Sequence, residues 1–211
     1  MKFIRHKASR RDATLILVLT LETHLLYNQV LSDLFQKYVL PSLKYLRDNS
    51  KAVVPIVDMA LVSGLLKMLE GAIVAETAND RFKLEMVFVF CAIWAFGSAL
   101  TLSDDGHDNQ ADFSEWWKSQ FKQVRLPTRD TVFDYWLDPI SNKFEPWRQN
   151  PSFHAVNFDS RTAKMNEVTV PTTETASICH WINLLVQCRQ PVLLAGPVSY
   201  THLTLPTKLE V

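Results

Sequence analysis

The sequence predicts an α+β fold that is mainly α-helical: a helical bundle, then a β-hairpin, then the incomplete opening of an α/β phosphate-binding core. Three observations carry this reading. Apolar residues recur at helical spacing through the first half of the chain. A β-branched and aromatic run with turn residues behind it follows Pro127. After one more helical pattern, the wholly apolar segment Pro191 to Ala195 runs into Gly196.

Composition bounds what these elements can do. The 211 residues are 47% hydrophobic and 11% aromatic, which excludes a disordered polar tail and leaves enough apolar surface to oppose chain entropy. Lysine plus arginine equals aspartate plus glutamate at 22 each, so no overall field draws the chain to nucleic acid or to anionic lipid. Neither is expected as a partner. The three cysteines, Cys91, Cys179 and Cys188, are odd in number, form no Cys-x-x-Cys pair and lie in apolar or helical stretches. Reduced, buried thiols of an intracellular protein are the expectation.

Taken in order, the basic stretch Lys2 to Arg11 and the apolar run Leu15 to Leu21 imitate a signal peptide. No small-x-small cleavage site follows, and Glu22 and His24 interrupt a pattern that continues into Leu25, Leu26 and Tyr27. Residues 1–28 are therefore read as an N-terminal helix with no further assignment. Leu31, Leu34, Phe35, Tyr38 and Val39 share a helical face, and Pro41, which lacks an amide donor, is expected to kink or end that helix. Val62, Leu65, Leu66, Leu69 and Ile73 repeat the pattern. A third helix is expected from Lys83 to about Leu100. Within it Met86 to Leu102 carries no charge for just under the length of a bilayer core, which admits a membrane span at 86–102 as the alternative. Gly97, Ser98 and the flanking acids Glu85, Asp104 and Asp105 favour a buried core helix instead.

A polar loop from Ser103 to Gln110 precedes Phe113, Trp116, Trp117 and Phe121, which again fall on one helical face. Val132 to Leu137, the turn residues Asp138 to Asn142 and the return Phe144 to Trp147 predict a hairpin. Glu174 to Gln187 predicts a helix that brings Ile178, Trp181, Ile182 and Leu185 together. Pro191 to Ala195 then suits a central strand covered on both faces. The tryptophans Trp94, Trp116, Trp117, Trp136 and Trp147 are expected to pack rather than catalyse. His107, His154 and His180 have no spacing suited to a metal, and no nucleophile constellation stands out.

A buried strand that ends at a glycine is how a phosphate-binding loop begins, because the loop amides must turn back to cradle phosphate. The full motif needs Gly, four residues, Gly-Lys and a hydroxyl residue. Counted from Gly196, those places hold Thr201, His202 and Leu203. Close backbone approach, the lysine charge and the magnesium ligand are all missing, so intact nucleotide binding is not expected.

Longer blocks carry a resemblance. Leu34-Phe-Gln-Lys-Tyr-Val39 with Leu43-Lys-Tyr-Leu-Arg47, Phe88-Val-Phe-Cys-Ala-Ile-Trp-Ala-Phe-Gly97, Phe113-Ser-Glu-Trp-Trp117, and Leu126-Pro-Thr-Arg-Asp-Thr-Val-Phe-Asp-Tyr135 with Phe144-Glu-Pro-Trp147 stand in this order. Thr172-Thr-Glu-Thr175 and Pro191-Val-Leu-Leu-Ala-Gly196 follow them. Together they resemble the heavy chains of axonemal dyneins, across the join between the second and third AAA+ modules of the motor ring. The resemblance implies four regions: residues 1–28 unassigned; 29–125, the helical small subdomain of the second module with connecting helices; 126–198, the hairpin and start of the third module; and 199–211, a tail foreign to the family. That tail resembles translated adapter sequence and is expected not to be natural.

Carried over residue by residue, the resemblance assigns Val168 and Val170 to the wall around adenine and Gly196, Pro197 and Val198 to the start of the phosphate loop. It implies ATP and Mg as cofactors of the intact parent, a microtubule-motor ATPase, and none for this chain, which alone should be inactive. The implied partners are the remainder of the heavy-chain ring, dynein light and intermediate chains, and microtubules. The implied location is the cytoplasm and cytoskeleton, in the axoneme of a cilium or flagellum.

Overall fold

The computed structural model describes residues 29–49, 56–73, 80–100, 102, 106–151, 153 and 171–194. The expectations for the helix at 1–28, for Val168, Val170, His154, Gly196, Pro197 and Val198, and for the tail at 199–211 lie outside these residues.

The first helix does not end at Pro41. Residues 29–34 are α-helical, Phe35–Val39 form a π-helical turn, and α1 continues over Leu40–Asn49. Proline removes one i to i−4 hydrogen bond and crowds the carbonyl one turn earlier; widening the preceding turn relieves both, and Leu40 keeps helical angles of φ −61° and ψ −46°. A salt bridge from Arg47 to Asp58 spans the connection to α2, Asp58–Ala72. Leu65 and Leu69 point into the core as expected, whereas Leu66 lies at the margin of the face, half exposed, and Ile73 is already extended.

The centre of the fold is α3, Arg81–Gly97. It begins where Asp80 caps it, its carboxylate accepting from the amides of Phe82 at 2.9 Å and Lys83 at 3.3 Å. Every residue from Phe88 to Gly97 is buried, as befits a helix apolar on all sides that must be enclosed on all sides. The first helix, α2, the hairpin and the later helices supply the enclosure. The helix stops at Gly97, short of Leu100, with the Ser98 amide donating back to Trp94. Among the described residues no helix is long and apolar enough to cross a membrane, and the span considered at 86–102 is broken at Gly97.

Helix α4, Asn109–Gln120, starts at Asp108, whose carboxylate accepts from the amides of Gln110 and Ala111. Phe113 and Trp117 are fully buried and Phe121 nearly so, while Trp116 lies half-buried and stacks on Tyr45 at 4.3 Å. Helices α1 and α4 thus meet through aromatic contact, Tyr45 against Phe113 and Trp116.

The hairpin pairs β1, Tyr135–Asp138, with β2, Lys143–Pro146, antiparallel, with Trp136 opposite Glu145 and Leu137 opposite Phe144. The first strand is shorter than expected, and the second keeps its expected length but starts one residue earlier. Val132–Asp134 is a 3-10 turn, held because the Thr131 amide and hydroxyl donate to Asp134 Oδ2 at 2.8 and 2.6 Å. Trp147 opens a second 3-10 turn, Trp147–Gln149, since Pro146 has no amide to continue the ladder. Asp138 closes the loop between the strands by accepting from the amides of Ile140 and Ser141, and Asn142 takes the left-handed conformation the turn requires, φ 52°.

The last described helix is α5, Thr173–Gln187, capped reciprocally by Thr172 and Thr175. Trp181 and Leu185 are buried, but Ile178 is exposed. Pro191 to Leu194 is not a strand, contrary to expectation, and Leu193 and Leu194 are 88% and 66% exposed. A strand needs neighbours for its amides and carbonyls, and among the described residues the only sheet is the two-stranded hairpin. Ala195 lies outside the described residues.

Candidate functional site

The described residues that converge most tightly are aromatic. On α3, Phe90 stacks on Trp181 of α5 at 5.0 Å and meets Trp147 at 6.3 Å. Trp94, one turn further on, meets Trp147 edge-on at 6.1 Å and Trp181 at 5.9 Å. His180 fits between Trp147 and Trp181, 5.4 and 5.2 Å away. Helix, hairpin end and α5 are therefore joined through one wall of rings. The indole nitrogen of Trp147 also donates to the Phe133 carbonyl at 2.8 Å, which fixes the ring to the hairpin. Beside this wall opens a cleft of about 660 Å³, lined among others by Trp94, Phe133, Trp181, Leu185, Leu193 and Leu194.

Burial depresses the pKa of His180, so the folded chain holds this imidazole neutral among apolar rings. The unfolded chain binds the proton more readily, so stability is complete above the ordinary histidine value and falls as the pH drops below it. Melting temperature should decline between pH 7.5 and 5.5, and the decline should shrink in His180→Phe, measured by circular dichroism.

A second, smaller centre ties the first helix to α3. Glu85 Oε1 accepts from Lys37 Nζ at 2.5 Å and from the Tyr38 hydroxyl at 2.7 Å. Burial alone would raise the Glu85 pKa, but the two hydrogen bonds and the Lys37 charge outweigh it and hold the carboxyl below its usual value. Burial and the bond to Glu85 push the Tyr38 phenol far up, so it remains a donor.

Among the described residues no group of three or more His, Cys, Asp or Glu side chains could hold a metal ion. His107 Nε2 lies 2.5 Å from Asp112 Oδ2 near the start of α4. Cys91 is fully buried, and its thiol is pushed up by that burial. The other two cysteines depart from expectation: Cys179 is exposed and Cys188 partly so, because α5 covers the core with one face only. All three are free thiols.

The expected nucleotide-site residues Val168, Val170, Gly196, Pro197 and Val198 all fall outside the described residues. What the structure brings together instead is a set of packing residues. The tryptophans were legible as packing residues from their spacing. The Lys37–Tyr38–Glu85 tie and the place of His180 were not, because their partners lie far apart in sequence.

The fold is thus a helical bundle wrapped around one all-apolar helix and closed by a short hairpin. The profile of the dynein heavy chain AAA lid domain matches residues 31–149, which is this bundle together with the hairpin. The chain belongs to the dynein heavy chain AAA lid family. It is similar to the alpha chain of the flagellar outer arm dynein of Chlamydomonas reinhardtii, 32% identical over 169 residues, covering 79% of this chain and 4% of that protein. Dynein axonemal heavy chain 9 of Homo sapiens is 36% identical over 170 residues, with the same coverage of 79% and 4%. The ciliary dynein beta chain of Heliocidaris crassispina gives the same values, 36% over 170 residues, 79% and 4%. The chain thus spans about 4% of the length of the curated relatives it matches.

Proposed function

We propose that this chain is a segment of an axonemal dynein motor ring, working within an ATP-driven microtubule motor in the axoneme of a cilium or flagellum. Residues 29–125 serve as the small subdomain of the second AAA+ module and 126–198 as the opening of the third, with the rest of the heavy-chain ring as immediate partner. Light and intermediate chains and microtubules engage the parent elsewhere. The observation that carries this reading is the enclosure of α3 by bundle and hairpin within residues 31–149, the stretch matched by the lid family.

In the intact parent, ATP and Mg occupy the third module, with Val168 and Val170 against adenine and Gly196, Pro197 and Val198 under the first phosphates. This chain holds only that half of the site. Its contribution is mechanical: it joins two modules, so the nucleotide state of one can bias the other. The residues at 199–211 play no part in this function. An antibody raised against residues 29–150 tests the reading in ciliated or flagellated cells of the source. Staining along the axoneme is expected. Staining confined to membranes, with the antigen retained in the pellet after carbonate extraction, would contradict it and favour a small membrane or scaffold protein.

A further inference from the structure

Helix α5 reaches the bundle at a second place besides the aromatic wall. Near its C-terminal end it crosses the end of α2, where Gln190 Nε2 donates to Glu70 Oε2 at 3.3 Å. Between the two helices sits Gly71. A Cβ added there would lie 2.5 Å from Leu184 Cδ2, closer than real side chains approach, and 3.0 Å from both Leu184 Cγ and Cys188 Sγ, a tight contact. Gly64, two turns earlier on the same face of α2, has nothing within 4 Å of such an atom. Gly71 is the last residue but one of α2, where glycine costs less than in a helix interior, and the close approach of Leu184 leaves little room there for a side chain.

We infer that Gly71 is a positioning residue: a notch in α2 that sets how deeply α5 seats on the bundle, and hence where the chain leaving α5 at Pro191 is delivered. The aromatic wall holds the middle of α5 through Trp181 and His180, and the notch holds its last turns through Leu184 and Cys188. Two separated points of contact define an angle, where one would leave α5 able to pivot. The inference rests on the reading of α5 as the first helix of the following module, since only then does its angle matter beyond this chain.

Hydrogen exchange on the full 211-residue chain tests it through amides 176–188 of α5, with amides 84–96 of α3 as internal reference. Gly71→Leu is expected to speed exchange in α5 by tenfold or more while α3 is unchanged. Gly64→Leu should leave both as they are, and Leu184→Ala added to Gly71→Leu should restore most of the lost protection by vacating the space. Should Gly71→Leu unfold the chain, Gly71→Ala with and without Leu184→Ala gives the same comparison at a smaller insult. Unchanged exchange in Gly71→Leu, an equal effect from Gly64→Leu, or no rescue by Leu184→Ala would each overturn the notch. None of these outcomes bears on axonemal location, which the antibody tests separately.

Discussion

Trp147→Ala is expected to lower the stability of the chain by about 3–5 kcal/mol and the melting temperature by on the order of 10 °C. Trp147 is fully buried, and its ring meets Phe90 and Trp94 of α3, Trp136 of β1 and His180 of α5. Its removal leaves a cavity where three elements meet, and the surrounding rings are too rigid to collapse into it. It also strips the Phe133 carbonyl of the donor that pins the hairpin to the wall. Trp147→Phe separates the two effects: most of the ring is kept, only the donor is lost, and a cost of about 1–2 kcal/mol should remain. Thermal and urea unfolding of the two variants provide the comparison. Equal losses in both would mean that the hydrogen bond, and not the packing, holds this corner.

Gly97→Ala is the second large effect, and it acts in the opposite sense, by adding an atom. The new methyl would lie 2.4 Å from Phe133 Cζ and 2.8 Å from Phe113 Cε1. One ring belongs to the 3-10 turn ahead of the hairpin and the other to α4, so a shift that relieves one contact presses on neighbours of the other. Phe113 is itself fully buried and in contact with Trp117 at 5.5 Å. The overpacking penalty should therefore fall near the top of the usual range, about 2–3 kcal/mol, despite the better helix propensity of alanine. Phe133→Leu placed beside Gly97→Ala should recover part of it, because the shorter side chain withdraws from the new methyl. Calorimetric unfolding of the single and double variants reads this directly.

Much of the helical part was legible because burial and spacing agree there. The rows containing Tyr38, Leu65, Leu69, Phe113 and Trp117 are the rows that face the core, and the charge-free run in α3 is buried on every side. Asp80, Asp108 and Thr172 each stand one residue before a helix and cap it, as short polar side chains at such places do. The misreadings have local causes. Pro41 is expected to kink or end its helix; the helix does not end there but runs on behind a π-turn that absorbs the missing bond, and nothing in residue spacing announces such a turn. Val132 to Asp134 has strand composition, yet the reciprocal bonds of Thr131 and Asp134 favour a 3-10 turn. Pro191 to Leu194 has the composition of a central strand but no neighbour to pair with among the described residues. The long-range ties were invisible for a different reason. Glu85 and Lys37 are 48 residues apart, and Gln190 and Glu70 are 120 apart, so only the folded chain brings each pair together.

The nucleotide half-site was read from the pattern ending at Gly196, where Thr201, His202 and Leu203 replace the glycine, lysine and hydroxyl residue that a phosphate loop needs. Loop amides without that glycine cannot close on phosphate, and the lysine position is taken by His202. Isothermal titration of the 211-residue chain with Mg-ATP tests the central claim most directly: that this is a ring segment without a working nucleotide site of its own. No heat of binding is expected at tens of micromolar protein. Micromolar affinity that persists after mutation of Val168 and Gly196 would contradict both the site assignment and the reading of the chain as an inert segment of the motor.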